Sequence, residues 1–213
     1  MATTLAVRPT LAVFLAAIAL TTRQAVAAPR EQIPNVVVHV TDYAHVSARQ
    51  LETSQRIAGR VYAKIGVAVV WVDGNAAEAG RDGAVHLDMV ILSPAMTARG
   101  DAPPDALGRA GRESKRASIY YERIMEYAAH TRGDLDQVLA LALAHELGHL
   151  LLPDYSHTKR GLMRAARTNR IVEMPNLLPT QAATIRMMLI VEAARVRSSL
   201  RRTVDDDIAI VHD

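Results

Sequence analysis

An α+β (α/β) domain, with a mixed twisted sheet of four to five strands, a buried helix and a C-terminal helix, is predicted from three observations. A β-branched run, an amphipathic stretch and two further apolar runs follow one another, the order strand, helix, strand, strand. Residues 135–152 are apolar almost all round, as in a helix that passes through the middle of a domain. Residues 180–200 return to helical periodicity. With 213 residues, 50% of them hydrophobic and 22% charged, the chain has the makeup of one folded domain and not of a disordered or fibrous one. It has no cysteine, which excludes disulfides, thiolate catalysis and thiolate metal ligands. His, Asp and Glu remain as ligands.

The first 27 residues read as an address. Arg8 precedes the apolar run 11–20, and Ala25-Val26-Ala27 has the small-residue pattern of a signal-peptidase site, so cleavage is expected after Ala27. Ten apolar residues rise about 15 Å as a helix, half the hydrocarbon core of a bilayer, so no stable membrane span is expected after cleavage. This predicts a secreted or periplasmic product, residues 28–213, as a single domain. Cleavage removes two arginines and no acid, leaving 23 basic against 22 acidic residues. The near-neutral balance, and the lack of a basic stripe interleaved with aromatics, argue against a nucleic-acid partner.

Within the mature chain, residues 35–41 (NVVVHVT) fit a mostly buried strand. Ser47 with Gln50 forms a capping-box pattern, and Leu51, Ala58, Val61 and Ile65 carry a helix of about five turns to Gly66. Residues 67–72 and 84–92 read as strands around a turn-rich segment. Residues 93–116 hold too many Pro and Gly for a helix and form an irregular segment; 118–124 (SIYYERI) returns to a strand pattern. Asp134 with Gln137 would cap the long apolar helix, and Pro153 stops it. In the last helix Ala183, Met187, Ile190, Val191 and Ala194 are the expected core face, and residues 201–213, with Asp205 to Asp207, are expected to be a flexible solvated tail.

The chemistry lies near the end of the apolar helix, where residues 145–149 read His145-Glu146-Leu147-Gly148-His149. Two histidines four residues apart share one helix face, so both imidazoles can reach one zinc ion. Glu146 sits beside such a metal, placed to take a proton from an activated water as general base and return it to a leaving amine. With 8 His and 9 Glu in the chain, chance gives the HExxH pattern about 0.01 times. A third ligand is needed. His157 is preferred, since the chain can turn back beyond Pro153; Asp154 is the alternative, with Tyr155, Glu173 and Glu192 more remote. His39 and His86 read as structural strand residues and His130 as a loop residue. Tyr120, Tyr121 and Tyr155 are possible oxyanion donors.

Residues 145–163, HELGHLLLPDYSHTKRGLM, resemble the metzincin clan of zinc metallopeptidases, whose pattern is HExxHxxGxxH followed by a Met-turn. The resemblance implies His145, His149 and His157 as ligands of one catalytic Zn2+, Glu146 as general base and Met163 as the Met-turn residue. Two positions depart from it. Leu152 stands at the Gly position and Tyr155 at the third His, so reaching His157 takes a turn two residues longer. The resemblance further implies a peptide or protein substrate that adds itself as a strand to an edge drawn from residues 105–123. The alternative is a non-enzymatic secreted protein that keeps the HExxH helix for zinc binding or structure.

Overall fold

Val36, Val38 and Val40 alternate with half-buried residues along β1 (Val36–Asp42), so one face of the strand is core and the other faces outward. In the computed structural model of the chain, residues 35–74, 84–100, 102–154, 157–165 and 173–210 are described. The expected signal peptide and the turn-rich centre at 75–83 lie outside them.

The sheet has five strands in the order β2-β1-β3-β5-β4. β1, β2 (Val69–Asp73), β3 (Val85–Leu92) and β5 (Arg116–Tyr120) run parallel to one another, and β4 (Gly108–Gly111) closes one edge antiparallel to β5. The mixed α+β class predicted from the sequence is the one observed. The irregular segment 93–116 contains this edge strand and a short helix, α2 (Pro94–Ala98), which Pro94 can begin because the first turn needs no donor there.

α1 (Ala48–Ala63) is capped by Ser47, whose hydroxyl accepts from the Gln50 amide at 3.3 Å. The capping box is not closed, because the Gln50 side chain accepts from the Tyr121 hydroxyl instead. The helix stops short of Gly66, which takes φ 78° as the chain turns into β2. The strand expected over 118–124 is corrected: pairing ends at Tyr120 and α3 (Tyr121–Thr131) begins at once. Its buried residues Ile124 and Ala128 are four apart, a helical spacing that the β-prone SIYYERI sequence hides. His130 is therefore helical, not a loop residue.

α4 (Leu135–Leu151) crosses the centre of the core under an Asp134 cap that accepts from the Gln137 amide at 3.1 Å. Leu139, Leu143 and Leu147 are fully buried. Leu152 is already extended ahead of Pro153. Two hydrogen bonds tie α1 to α4, from the Ser54 hydroxyl to the Asp136 carbonyl at 3.0 Å and from the Tyr62 hydroxyl to the Ala144 carbonyl at 2.7 Å.

α5 (Pro179–Ile210) corrects two expectations. It continues through 210, across most of the stretch expected as a tail, since no Gly or Pro follows Pro179 to break it. Its core face is Ala182, Ile185, Leu189 and Ala193, while Met187 is 57% and Val191 40% exposed. Both stripes have helical spacing and lie one or two residues apart, so periodicity alone does not choose between them. No helix among the described residues is long and apolar enough to cross a membrane.

Candidate metal centre

The i, i+4 spacing on α4 brings the imidazoles of His145 and His149 to one side of the helix, with their Nε2 atoms 3.1 Å apart. Beyond Pro153 the chain folds back and His157 completes a triangle, its Nε2 3.2 Å from each of the other two. Among the described residues these three form the one group of His, Asp or Glu arranged to hold a metal ion. Asp154, the alternative third ligand, is not in that group, nor is Glu173; Tyr155 lies outside the described residues. Glu192 is held elsewhere, 2.7 Å from the Lys115 ammonium.

The donor set suits a cation. Nδ1 of His145 lies 2.9 Å from the Leu162 carbonyl oxygen, which only accepts, so in the neutral ring Nδ1 carries the proton and Nε2 presents a lone pair to the centre. Three nitrogens converging at 3.1–3.2 Å repel unless a proton or a cation sits among them. Nitrogens bound tetrahedrally to zinc at 2.0–2.1 Å lie about 3.3–3.4 Å apart, close to what is observed. His149 is buried, and burial, followed by its two histidine neighbours, lowers its pKa to about 4, keeping it neutral.

Glu146 is only 5% exposed, and its Oε2 is buried with no hydrogen-bond partner among the described residues. Burial pushes its carboxyl up to about 8. A buried carboxyl without a partner, beside three imidazoles, is costly to ionise by itself and is favoured as the carboxylate when a cation is near. Edge strand β4 lies directly over it: a Cβ on Gly108 would come within 2.6 Å of Glu146 Cγ. On the other side of α4 the Met163 thioether rests against Gly148, where a Cβ would clash with its sulfur. Leu162 and Met163 are fully buried. Gly161 at φ 79° makes the turn that delivers them.

The centre opens on a cleft of about 1190 Å³, bordered by β4 and by Arg109, Tyr127, His130 and Arg164. Of the tyrosines proposed as oxyanion donors, Tyr121 is bound to Gln50 at 2.7 Å and Tyr120 is buried at the start of α3. His39 and His86 lie on the outward face of the sheet with Nε2 and Nδ1 2.9 Å apart, paired with each other. Sequence reading missed Gly108, the Leu162 carbonyl and Arg112, which reaches the turn beyond α4 at Pro153. Gly108 is one of several glycines and prolines in a segment read as irregular, so its close approach left no distinct sign, and a carbonyl acceptor leaves none. No protein family matches the chain, and no curated protein does.

Proposed function

We propose that the chain is a secreted or periplasmic zinc metallopeptidase of metzincin-like type, hydrolysing peptide bonds with Glu146 as general base. The observation that carries the proposal is the triangle of His145, His149 and His157 Nε2 atoms, 3.1–3.2 Å on a side, with the Glu146 carboxyl buried beside it on the same helix. Zinc bound by the three histidines supplies a Lewis acid that polarises a carbonyl and lowers the pKa of a water. The chain supplies the rest. The Leu162 carbonyl holds His145 in one tautomer and orientation. Glu146, with its unpartnered Oε2, accepts a proton from the attacking water and passes it to the leaving amine. β4 ends the sheet, so its outer edge offers backbone donors and acceptors to an extended peptide along the cleft. Export is inferred from Arg8, the apolar run 11–20 and the Ala25-Val26-Ala27 site.

Glu146→Gln should lower hydrolysis of a peptide library by about 10²–10⁴-fold and leave one zinc bound per chain. Undiminished cleavage by that variant sinks the mechanism. One observation favours a second reading, a zinc-binding protein without activity: the close approach of Gly108 covers the Glu146 carboxyl. Stoichiometric zinc with no cleavage across the library would select it.

A further inference from the structure

His145 and His149 are fixed by one turn of helix, but His157 stands eight residues beyond His149, past the stop at Pro153, and is exposed. A side chain on an exposed segment is a well-placed ligand only when the backbone on both sides of it is held. On the C-terminal side the hold is local: the Thr158 amide donates to the Met163 carbonyl at 2.8 Å, and the Leu162 amide donates to the Asn176 carbonyl at 2.9 Å. On the N-terminal side it comes from across the fold. Arg112 follows β4 in the turn toward β5, and its Nη1 donates to the Pro153 carbonyl at 2.7 Å. That carbonyl lies just past the last helical bond, from the Leu152 amide to the Gly148 carbonyl, where the chain leaves the helix and has no intrahelical acceptor role.

We infer that Arg112 is a positioning residue for the third metal ligand, clamping the departure of the chain from α4 so that the longer turn returns His157 to the Nε2 triangle. The inference rests on the metal centre proposed above. The bond is charge-assisted, and it holds the carbonyl of the residue after Leu152, the position at which the metzincin pattern has glycine. The sign of its effect separates positioning from electrostatics. A guanidinium near a cation repels it, so removing the charge would by itself tighten metal binding. If Arg112 acts through position, its removal weakens binding.

The test is a double-mutant cycle on zinc affinity, measured by competition with a chromophoric chelator on the full chain, with Arg112→Met, His157→Ala and the pair. Arg112→Met should weaken zinc binding about tenfold, the low end of the range for partners outside the ligand shell. In the His157→Ala background the same substitution should change affinity less than twofold, because the ligand it positions is gone. Arg116→Met, which removes a charge from the neighbouring strand β5 outside the cleft, should not weaken binding. If Arg112→Met does not fold, the same cycle with Arg112→Gln decides. Unchanged affinity in Arg112→Met, or equal weakening in both backgrounds, overturns the role of Arg112 while leaving the centre standing. Unchanged affinity in His157→Ala overturns the centre and the role of Arg112 with it.

Discussion

His145, Glu146 and His149 ride on a helix whose flanking residues are buried on nearly every side, whereas His157 rides on an exposed turn held by three hydrogen bonds from its surroundings. In the first region one backbone geometry sets the spacing of all three side chains, and Met163 and Tyr62 pack closely against the helix at Gly148. In the second, position depends on separate donors and acceptors, one of them, Arg112, far away in sequence. The contrast teaches that a ligand set can be half rigid by secondary structure and half rigid by tethering, and that the two halves should fail differently.

Metal affinity gives the widest separation. His149→Ala should weaken zinc binding by more than 100-fold, since it leaves one rigid and one tethered ligand. His157→Ala should cost less, roughly tenfold to 100-fold, because the helical pair survives intact. Equal losses by competition titration would mean that the turn is as rigid as the helix. Next is the pH dependence of the metal-free protein. Between 4.5 and 8 the native Glu146 holds a proton that the unfolded chain has lost, so stability falls as pH rises through that window. Between 4 and 6.5 the unfolded His149 holds a proton that the native ring does not, so stability rises with pH. The two slopes oppose each other from 4.5 to 6.5. What remains is a fall of about 2 kcal/mol from 6.5 to 8, which denaturant midpoints in chelator should detect and Glu146→Gln should abolish. Adding zinc should shift the midpoint upward at pH 7 and lose that effect in acid as the histidines protonate. The last comparison concerns packing alone. Gly148→Ala should destabilise by about 1–3 kcal/mol through the clash with Met163, whereas Thr158→Ala on the turn should cost no more than about 1 kcal/mol. A neutral Gly148→Ala would show that Met163 is free to move aside.

The same contrast divides what was legible in the sequence. α4, its Asp134 cap and the shared face of His145 and His149 follow from residue periodicity, and they appear where expected. β1 and β3 were legible from β-branched and apolar runs beside turn-rich sequence, and α1 from its Ser47 cap and helical spacing. His157 was preferred on chemistry and stands in the triangle, but the bond from Arg112 that holds its turn links a side chain to a carbonyl 41 residues away and has no sequence pattern. α3 was masked by the β-branched and aromatic residues Ile119, Tyr120, Tyr121 and Ile124, where strand gives way to helix without a breaker. The core face of α5 was misread because Ala183, Met187 and Val191 make as good a stripe as Ala182, Ile185 and Leu189, and only the neighbours of the helix decide between them.

The three histidines fall between residues 145 and 157, while the pairing of Val36 with Val85 at the centre of the sheet joins residues 49 apart. Closing the first loop takes little chain entropy and closing the second takes more, so the helix and its paired imidazoles can form early in folding. The tether from Arg112 to Pro153 joins residues 41 apart, so it costs more to close and needs the end of β4 and the end of α4 brought together. Tight metal capture is on this account among the last properties a refolding chain recovers, arriving after helicity and with completion of the sheet.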